Sequence, residues 1–533
     1  MCNYYTKQLV CLMICSLTGL YGLAGCTKHN YKEEADEQVY KIIDQKWQDD
    51  FGTKANYKVS DTEPSIGDIQ IKKVVPASGV LTLPQAVAMA TAYNREYQTQ
   101  KEELYIKALD LRLTRHQFEK QYFGVVTGGY NADRNDEVVG IEANFGFNQL
   151  LAQGTIISTR VALAWADVLT GNMRSGLFSI LNITVTQPLL RGSERKVVLE
   201  NLTQAERDTL YQVRAFNRFR QRFVVSVVSQ YYRVLQLWDA MENAQKNCDT
   251  LDLLISQVET LANAGRVPQL ELERVRQEKL QAYDEFLQAR KQYKQALDEF
   301  KITLSLPTTV ELKLVTNVLN TLKESEMAMP DFSDAEAIET ALLRRLDLVN
   351  TADLVTDAQR KVYVAADNLR AELNLVGSAD AASARRADRQ MLDWKGEDYS
   401  LGLELDLPLD RMPEQNVYRK ALLTLNQRQR EYDQSADTVR LEVRNSYRNL
   451  IEAAQRYSVQ TEALELADKR YKNTLALLKY GRASSRRVLS AQNDLIDAQN
   501  TATQALVDFA IESLNFYSDT GVLQVRPDGM WER

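Results

Sequence analysis

The sequence repeats itself with an offset of about 215 residues, and the two halves have the same layout. Each half contains a short helical stretch, segments of alternating polarity, one very long helical pattern, a Gly-Arg pair and a second helical pattern. Tyr232-Arg233 corresponds to Tyr447-Arg448, and Gly265-Arg266 corresponds to Gly481-Arg482 one residue out of step. A repeat constrains the architecture more than any single motif does. We therefore predict two copies of one αββα unit.

The composition favours long helices. The 533 residues include only 22 Gly and 10 Pro, so helix breakers are scarce. The formal net charge of −7 and the absence of a dense basic run give no support to nucleic-acid binding. We therefore expect one elongated body built from a duplicated helical unit and no nucleic-acid partner.

The N-terminus resembles a bacterial lipoprotein signal. Lys7 precedes an apolar stretch from Leu9 to Ala24, which is followed by Gly25-Cys26. Cleavage before Cys26 would leave a cysteine that receives lipid, and Thr27, in place of an Asp, favours the outer membrane as the destination. The alternative is an ordinary secretory signal with a chance cysteine. Cys248 is then the one cysteine of the body, so the mature chain forms no intrachain disulfide.

Several segments alternate between apolar and polar residues with the period of a β-strand. Between Glu137 and Phe147, Val139, Ile141 and Phe145 fall on one face. The leucines of residues 401–407 and the aliphatic residues of 181–186 follow the same pattern. After residue 26 no apolar run is long enough for a membrane helix, so a membrane-crossing chain would have to use strands in a closed barrel.

The alternating segments have a second interpretation, as strands of a soluble sheet with one wet face. The long helices offer no obvious second layer to cover such a sheet, which favours the membrane interpretation. Each copy supplies too few strands to close a barrel, so several chains would have to contribute to one. We interpret residues 379–398, rich in Ala, Ser, Arg and Asp, as a loop between strands.

The long helical patterns have the spacing of a coiled coil. Apolar residues between Val417 and Tyr480 recur at a mean interval of about 3.53, which is nearer to 3.5 than to 3.6. This helix would be roughly 95 Å long, and its counterpart from Val197 to Ala264 about 100 Å. The Gly-Arg pairs end both patterns, since glycine suits a left-handed helix cap and Pro268 and Ser484 suit the start of a returning helix. These turns are helical-hairpin tips where a partner could bind.

The sequence resembles the TolC-like outer-membrane efflux protein family. The resemblance rests on residues 186–192, Thr-Gln-Pro-Leu-Leu-Arg-Gly, leaving a strand before a long helix, and on residues 479–485, Lys-Tyr-Gly-Arg-Ala-Ser-Ser, which continue into residues 488–499. It covers roughly residues 81–523, both repeats included. Each motif alone is weak, but the repeat, the lipid signal and the motifs together are specific.

The resemblance implies a fold class that is mainly α with transmembrane β. Its duplicated unit consists of long coiled-coil helices plus strands contributing to a trimeric outer-membrane β-barrel. It also implies a homotrimer in the cell outer membrane, extending into the periplasm, whose helical tips meet a periplasmic adaptor protein joined to an inner-membrane pump. The N-terminal signal adds the expectation of a lipid anchor at Cys26. Carried over by position, the adaptor-contact residues are Gly265, Arg266, Val267, Gly481, Arg482 and Ala483.

Two features depart from the family pattern. The first half contains an extra alternating pair around Gly154-Thr155, which either adds strands to the usual four per chain or stands outside the barrel. The family's constriction often uses acidic residues, but no motif assigns them here, and Asp252 and Glu259 stay unassigned. The sequence does not identify the transported substrate.

We predict an efflux channel that exports small molecules from the periplasm or cytoplasm. Three other functions are the alternatives. A type I protein secretion channel shares the architecture, and the sequence does not separate the two. A non-conducting, lipid-anchored periplasmic coiled-coil scaffold would explain Cys26 and the helices but not the alternating strands. An enzyme is disfavoured, because the sequence has two His residues, His29 and His116, and no phosphate loop, nucleophile elbow or zinc pattern. We predict no cofactor and no metal.

The predicted organisation has six parts. These are a signal peptide (1–25), a lipidated N-terminal arm (26–80) with one amphipathic helix at about Glu33–Phe51, a first repeat (81–307), a linker (308–330), a second repeat (331–523) and a C-terminal tail (524–533).

Overall fold

The computed structural model describes residues 28–48, 51, 54, 57–59, 79–132, 137–168, 176–324, 333–383, 394–407, 409–480, 482–526 and 530–532. The predicted signal peptide and Cys26 lie outside these residues. The chain divides into two compact units, and each takes segments from both repeats. The first contains residues 1–47, 103–213 and 356–426, and the second contains residues 48–102, 214–355 and 427–533.

Helices make up most of the described chain, and the two longest have 64 and 68 residues. In chain order they are α1 (Lys28–Lys46), α2 (Leu83–Tyr93), α3 (Arg95–His116), α4 (Arg195–Val198), α5 (Glu200–Asn263), α6 (Gln269–Thr303), α7 (Val318–Glu324), α8 (Asp334–Arg344), α9 (Leu346–Asp367), α10 (Met412–Lys479) and α11 (Ser485–Asp519). None of the helices in the described part of the chain combines the length and the apolar character of a membrane span.

The strands are β1 (Val80–Leu81), β2 (Gln121–Ala132), β3 (Glu137–Leu150), β4 (Ile156–Val168), β5 (Gly176–Pro188), β6 (Lys313–Leu314), β7 (Glu372–Ser383), β8 (Trp394–Asp406), β9 (Gln524–Val525) and β10 (Trp531–Glu532). Six of them form one sheet in the order β2-β3-β4-β5-β7-β8, with every neighbouring pair antiparallel. The short pairs β1-β6 and β9-β10 are separate.

The repeat is visible in the local structure of the two short helices. Thr82 caps α2 and Ser333 caps α8, and in both a side chain three residues later, Gln85 or Glu336, bonds back to the capping residue. Such a capping box satisfies backbone N–H groups that would otherwise lack a partner at the helix start. The two halves therefore start their helical sections with the same device.

The first unit contains the six-stranded sheet and the N-terminal helix. Helix α1 buries Ile42 and Ile43, and the Tyr105 hydroxyl of α3 donates a 2.5 Å hydrogen bond to Asp36. Lys46 pairs with Glu206 of α5 at 3.2 Å. The predicted arm helix exists, but it begins at Lys28 and ends at Lys46, earlier than the predicted Glu33–Phe51.

A buried carboxylate joins the helices that flank the junction between β5 and β7. The Asp357 side chain of α9 is 3% exposed and pairs with Arg207 of α5 at 2.6 Å and with Arg360 at 2.7 Å. The Tyr211 hydroxyl donates to the same carboxylate at 2.7 Å, and burial followed by this hydrogen bond raises the pKa of Tyr211. β5 leads into α4 and α5, and α9 leads into β7. This network therefore holds α5 and α9 together at the place where the two repeats join the shared sheet.

The second unit has an aromatic core around Tyr97 of α3. Its ring lies 5.7 Å from that of Phe216 and 5.1 Å from that of Phe223, both on α5. Lys101 is one turn further along α3, 5% exposed, with its ammonium 5.2 Å from the Tyr97 ring centre. Among the residues that the structure describes, no carboxylate acts on the pKa of this ammonium. Burial therefore lowers the pKa of Lys101 to about 8.

The buried ammonium of Lys101 should destabilise the fold at neutral pH. Because its folded-state pKa is below that of an unfolded chain, the unfolded state binds more protons between about pH 8 and 10.5, so stability rises with pH across that window. Lys101→Met should increase the free energy of unfolding by about 2 kcal/mol at pH 7 and by progressively less towards pH 10. Thermal unfolding followed by circular dichroism at both pH values measures this difference.

The matched control is Lys420→Met, at an exposed position of α10. It should leave the melting temperature unchanged at both pH values. A Lys101→Met variant that melts at or below the temperature of the parent protein at pH 7 would contradict the prediction.

Candidate pore wall and helical tips

One face of the six-stranded sheet is apolar from edge to edge. The register keeps side chains of the same face together: Phe145 pairs with Val161, Val161 with Leu181, and Leu181 with Ala381. The apolar members of this face are Tyr122, Val126, Tyr130, Val139, Ile141, Ala143, Phe145, Phe147, Ile157, Val161, Leu163, Leu181, Ile183, Val185, Leu373, Leu375, Ala379, Ala381, Tyr399, Leu401, Leu403 and Leu405. Leu401 is 79% exposed and Tyr122 is 76% exposed, and an apolar surface this wide marks an interaction site or a membrane contact.

The opposite face is mainly polar. Its side chains bond to one another across the strands: the Asn182 amide donates to Asp380 at 2.6 Å, and the hydroxyls of Ser378 and Ser400 lie 2.8 Å apart. The polar members are Gln121, Thr127, Glu142, Asn144, Asn148, Ser158, Arg160, Asn182, Thr184, Thr186, Glu372, Asn374, Ser378, Asp380, Asp398, Ser400, Glu404 and Asp406. One wet face and one apolar face are what the alternation in the sequence predicted.

The polar face is negatively charged. Among its described side chains Arg160 is the one cation, against six carboxylates: Glu142, Glu372, Asp380, Asp398, Glu404 and Asp406. Glu372 lies directly opposite Asp406, and Asn374 lies opposite Glu404. In the described residues no His, Cys, Asp or Glu side chains gather in a group of three that could hold a metal ion. The carboxylates are instead spread over the polar face and give it a distributed negative potential.

The sheet has two open edges. β2 and β8 are at opposite ends of the strand order and run in opposite directions, since an even number of antiparallel strands separates them. Each edge presents one row of backbone N–H and C=O groups that no strand of the same sheet pairs. Such a row needs water or another strand as its partner.

The helical tips have a common backbone geometry. At the α5–α6 turn Gly265 has a φ of +70°, and the Arg266 N–H donates to the Leu261 carbonyl at 2.9 Å. At the α10–α11 turn the Arg482 N–H donates to the Leu477 carbonyl at 2.9 Å, which is the same bond across the same number of residues. This 6→1 bond is the signature of a Schellman helix end. Gly481 lies outside the described residues, so its own conformation stays a prediction.

Beneath these turns the two helical hairpins share one apolar core. Its buried members are Cys248, Leu251, Leu254, Val258, Leu272, Val275, Ala282, Leu478, Val488 and Leu489. Val267 and Ala483 pack against this core and are half-buried, whereas Arg266 and Arg482 are exposed. Of the six predicted contact residues, the structure thus places two arginines on the surface and two apolar residues against the supporting core.

Polar contacts also join the hairpins. The Ser485 hydroxyl donates to Glu271 at 2.6 Å, and the Asn493 amide donates to Glu278 at 2.7 Å, so that α11 holds α6 at two points about two turns apart. The unassigned acids Asp252 and Glu259 pair with Lys279 at 2.5 Å and Arg276 at 3.5 Å, which ties α5 to α6 within the first hairpin.

Two strands of the wall, β2 and β7, were not predicted from the sequence. β2 was not predicted, because Gly124, Gly128 and Gly129 interrupt its apolar pattern. The loop predicted at residues 379–398 was wrong at both ends, since β7 continues to Ser383 and β8 begins at Trp394. The two-residue alternation does continue through β7, with small residues on both faces, and that pattern could have identified this strand. The extra alternating pair around Gly154 lies inside the sheet as β3 and β4.

Comparisons with known proteins agree with this geometry. Residues 337–522 match the model of the outer membrane efflux protein family. A comparison with curated protein sequences gives no match. Among solved structures, that of the transmembrane channel protein CusC has a TM-score of 0.60 at 15% identity, covering 82% of this chain and 92% of CusC.

Two further structures have the same fold. The CmeC outer membrane channel of Campylobacter jejuni has a TM-score of 0.58 at 15% identity, covering 89% of this chain and 91% of CmeC. The MtrE outer membrane channel of Neisseria gonorrhoeae, in its open state, has a TM-score of 0.59 at 12% identity, covering 82% of this chain and 88% of MtrE. These identities are low, so the likeness is one of fold.

The resemblance and the fold class predicted from the sequence are therefore confirmed. The family match covers most of the second repeat, and the structural matches extend across both repeats. Residues 337–522 match the outer membrane efflux protein family, and the fold of the chain is that of the solved channels CusC, CmeC and MtrE.

Proposed function

We propose that this protein is the outer-membrane channel of a tripartite efflux system. Three copies would join their sheets into one closed wall in the outer membrane, and their helices would continue the tunnel into the periplasm. The two-faced sheet carries the proposal. An apolar face that extends over all six strands and is most exposed on β2 and β8, backed by a polar and charged face, fits lipid on one side and water on the other.

The proposed partners follow the family resemblance and the tips. Arg266 and Arg482 are exposed at the two turns and would contact a periplasmic adaptor protein joined to an inner-membrane pump. The proposed anchor is lipid on Cys26, and α1 packs on the first unit only a few residues after that position. The repeat boundaries at residues 81–307 and 331–523 are part of the same proposal.

Purification from membranes tests the channel directly. We expect a mature chain that begins at Cys26 and carries acyl groups by mass spectrometry, trimers in mild detergent, and conductance in planar bilayers. The apolar face requires burial, and closing the two edges requires neighbouring copies. A monomer that gives no conductance would overturn the proposal in favour of the periplasmic scaffold.

The charge of the polar face predicts ion preference. Three copies of a wall with six carboxylates and one guanidinium should favour cations, which a reversal potential in a KCl gradient measures. Glu404→Gln combined with Asp406→Asn should reduce the permeability ratio of K⁺ to Cl⁻ roughly twofold. Glu397→Gln is the control, because Glu397 lies on the same strand but on the apolar face, next to Ala381. An equal change in the control, or no change in the double variant, would contradict the assignment of the polar face to the lumen.

The tips can be tested by photo-cross-linking in cells. A photoreactive amino acid at Arg266 or Arg482 should form an adduct with a periplasmic adaptor protein, identified by mass spectrometry, because both side chains project from the turns. The same amino acid at Arg440, an exposed position of α10 that pairs with Asp437, serves as the control. Adducts that form equally at Arg440, or that contain no adaptor, would remove the tips from the proposed contact.

A further inference from the structure

The first half of the chain gives four strands to the sheet and the second half gives two. β2 and β5 occupy the places in the first half that β7 and β8 occupy in the second, between a helix that enters the sheet and a helix that leaves it. The hairpin β3-β4 is the additional element, and it lies in the middle of the sheet with full pairing to β2 on one side and β5 on the other. Its short turn also fits closely: Gly154 has a φ of +81°, and a Cβ there would lie 2.5 Å from the Gly192 carbonyl.

We infer that all six strands line the pore and that β8 of one copy pairs with β2 of the next, so that three copies form an eighteen-stranded wall. This inference rests on the proposed function for the number of copies. Beyond the proposed function, the inference identifies the strand edges that join neighbouring copies, the register of that joint and the width of the opening. The resulting opening admits solutes about twice as wide as a wall built without β3-β4 would admit.

The geometry of the edges supports this joint. An inserted hairpin adds two strands, so β2 and β8 stay antiparallel and a ring of identical copies can close. Both edges also expose large apolar residues on the same face, with Val126 63% exposed and Leu403 68% exposed. A joint between them continues the apolar face without a break and pairs the two open backbone rows.

The register follows from the ends of the strands and their faces. β8 ends at Asp406 and β2 begins at Gln121, so aligning these ends places Asp406 opposite Gln121 and Ser400 opposite Thr127 of the next copy. This alignment keeps apolar residues on one face, with Leu401 opposite Val126. A shift by one residue would put polar and apolar residues together. A shift by two residues towards the helices would oppose Gln121 to Pro408, which has no N–H to donate.

The same register gives an acceptable strand tilt. A row of directly paired residues crosses one sheet from Gln121 through Asn148, Ser158, Thr184 and Ser378 to Ser400. If Ser400 pairs with Thr127, the row is displaced by about six residues for every six strands, which corresponds to a tilt of about 35°. That tilt is inside the range of known closed sheets.

The width follows from the strand number. Eighteen strands at about 4.8 Å spacing and this tilt give a backbone diameter of roughly 34 Å, against roughly 22 Å for twelve strands. One layer of side chains, about 5 Å on each side, leaves an opening of roughly 24 Å or 12 Å respectively. The acidic face lines this opening, so the solutes that it favours are bulky, hydrated and neutral or cationic.

Disulfide cross-linking tests the joint. In a Cys248→Ala background, Ser400→Cys combined with Thr127→Cys should give covalent trimers under mild oxidation, because the two positions face each other between copies. Ser400→Cys with Gln121→Cys is the matched control, six residues away from Thr127 on the same face of β2, and should give none. Non-covalent trimers that do not cross-link through the matched pair would overturn the joint while leaving the proposed channel intact.

A deletion tests the width. A variant that lacks residues 137–168 loses β3 and β4 and retains residues 133–136 and 169–175 to join β2 to β5. Polyethylene glycols added from the sheet side of a planar bilayer should enter the parent channel up to about twice the hydrodynamic diameter that they reach in the variant. An unchanged size limit in trimeric, conducting variant channels would overturn the width. Absence of trimers in the parent protein would overturn the proposed function and this inference together.

Discussion

The proposed assembly depends on the backbone N–H and C=O groups at the two edges of the sheet, which need hydrogen-bond partners. Every backbone N–H and C=O of a strand in lipid requires a partner, since no water is present to supply one. Inside the six-stranded sheet that demand is met by neighbours, but β2 and β8 each leave one row unpaired. The exposed apolar side chains on the same strands add a second demand, burial away from water. Neither demand can be met by the described part of a single copy, which is why assembly and membrane insertion are linked in the proposed channel.

The helical hairpins are joined differently, by a shared apolar core and by polar contacts between side chains. Apolar side chains from all four helices form the shared core beneath the tips, and hydrogen bonds such as Ser485 to Glu271 join α11 to α6. A shared core of buried side chains stabilises the turns more than the glycines do, because a left-handed glycine removes only a local strain. The turns are therefore supported from beneath by this core, while Arg266 and Arg482 are exposed on their surface.

Much of this arrangement could be predicted from the sequence, for physical reasons. The helices extend over tens of residues, so their periodicity is averaged over many turns, and the predicted boundaries at Val417 and Tyr480 differ from the observed Met412 and Lys479 by a few residues. The strand from Glu137 was found because bulky residues such as Phe145 alternate with polar ones. β2 was missed because its glycines, for example Gly124, leave room for the Phe145 ring on the neighbouring strand. Its pattern is complete only when both strands are considered together.

The partners of individual side chains could not be predicted, since they depend on contacts between segments far apart in the chain. Asp357 and Arg207 are 150 positions apart and meet only because α5 and α9 pack side by side. Lys101 has the spacing of an ordinary helix-surface lysine, and its burial is apparent only from the packing of Tyr97 and its neighbours on α5. The lateral position of the β3-β4 hairpin was undecided for the same reason: the sequence shows that two strands exist but not which neighbours they pair with.

The asymmetry of the sheet indicates how a duplicated wall can change its width without losing closure. Adding one strand to a repeat would make the two edges parallel and prevent the antiparallel joint between copies, whereas adding a hairpin preserves their opposite directions. A hairpin inserted beside β5 also leaves the junction between β5 and β7 unchanged, where the Asp357 network holds the helices of the two repeats. The insertion therefore acts on the circumference alone. The helical part, whose capping boxes and tip geometry are alike in both halves, needs no matching change.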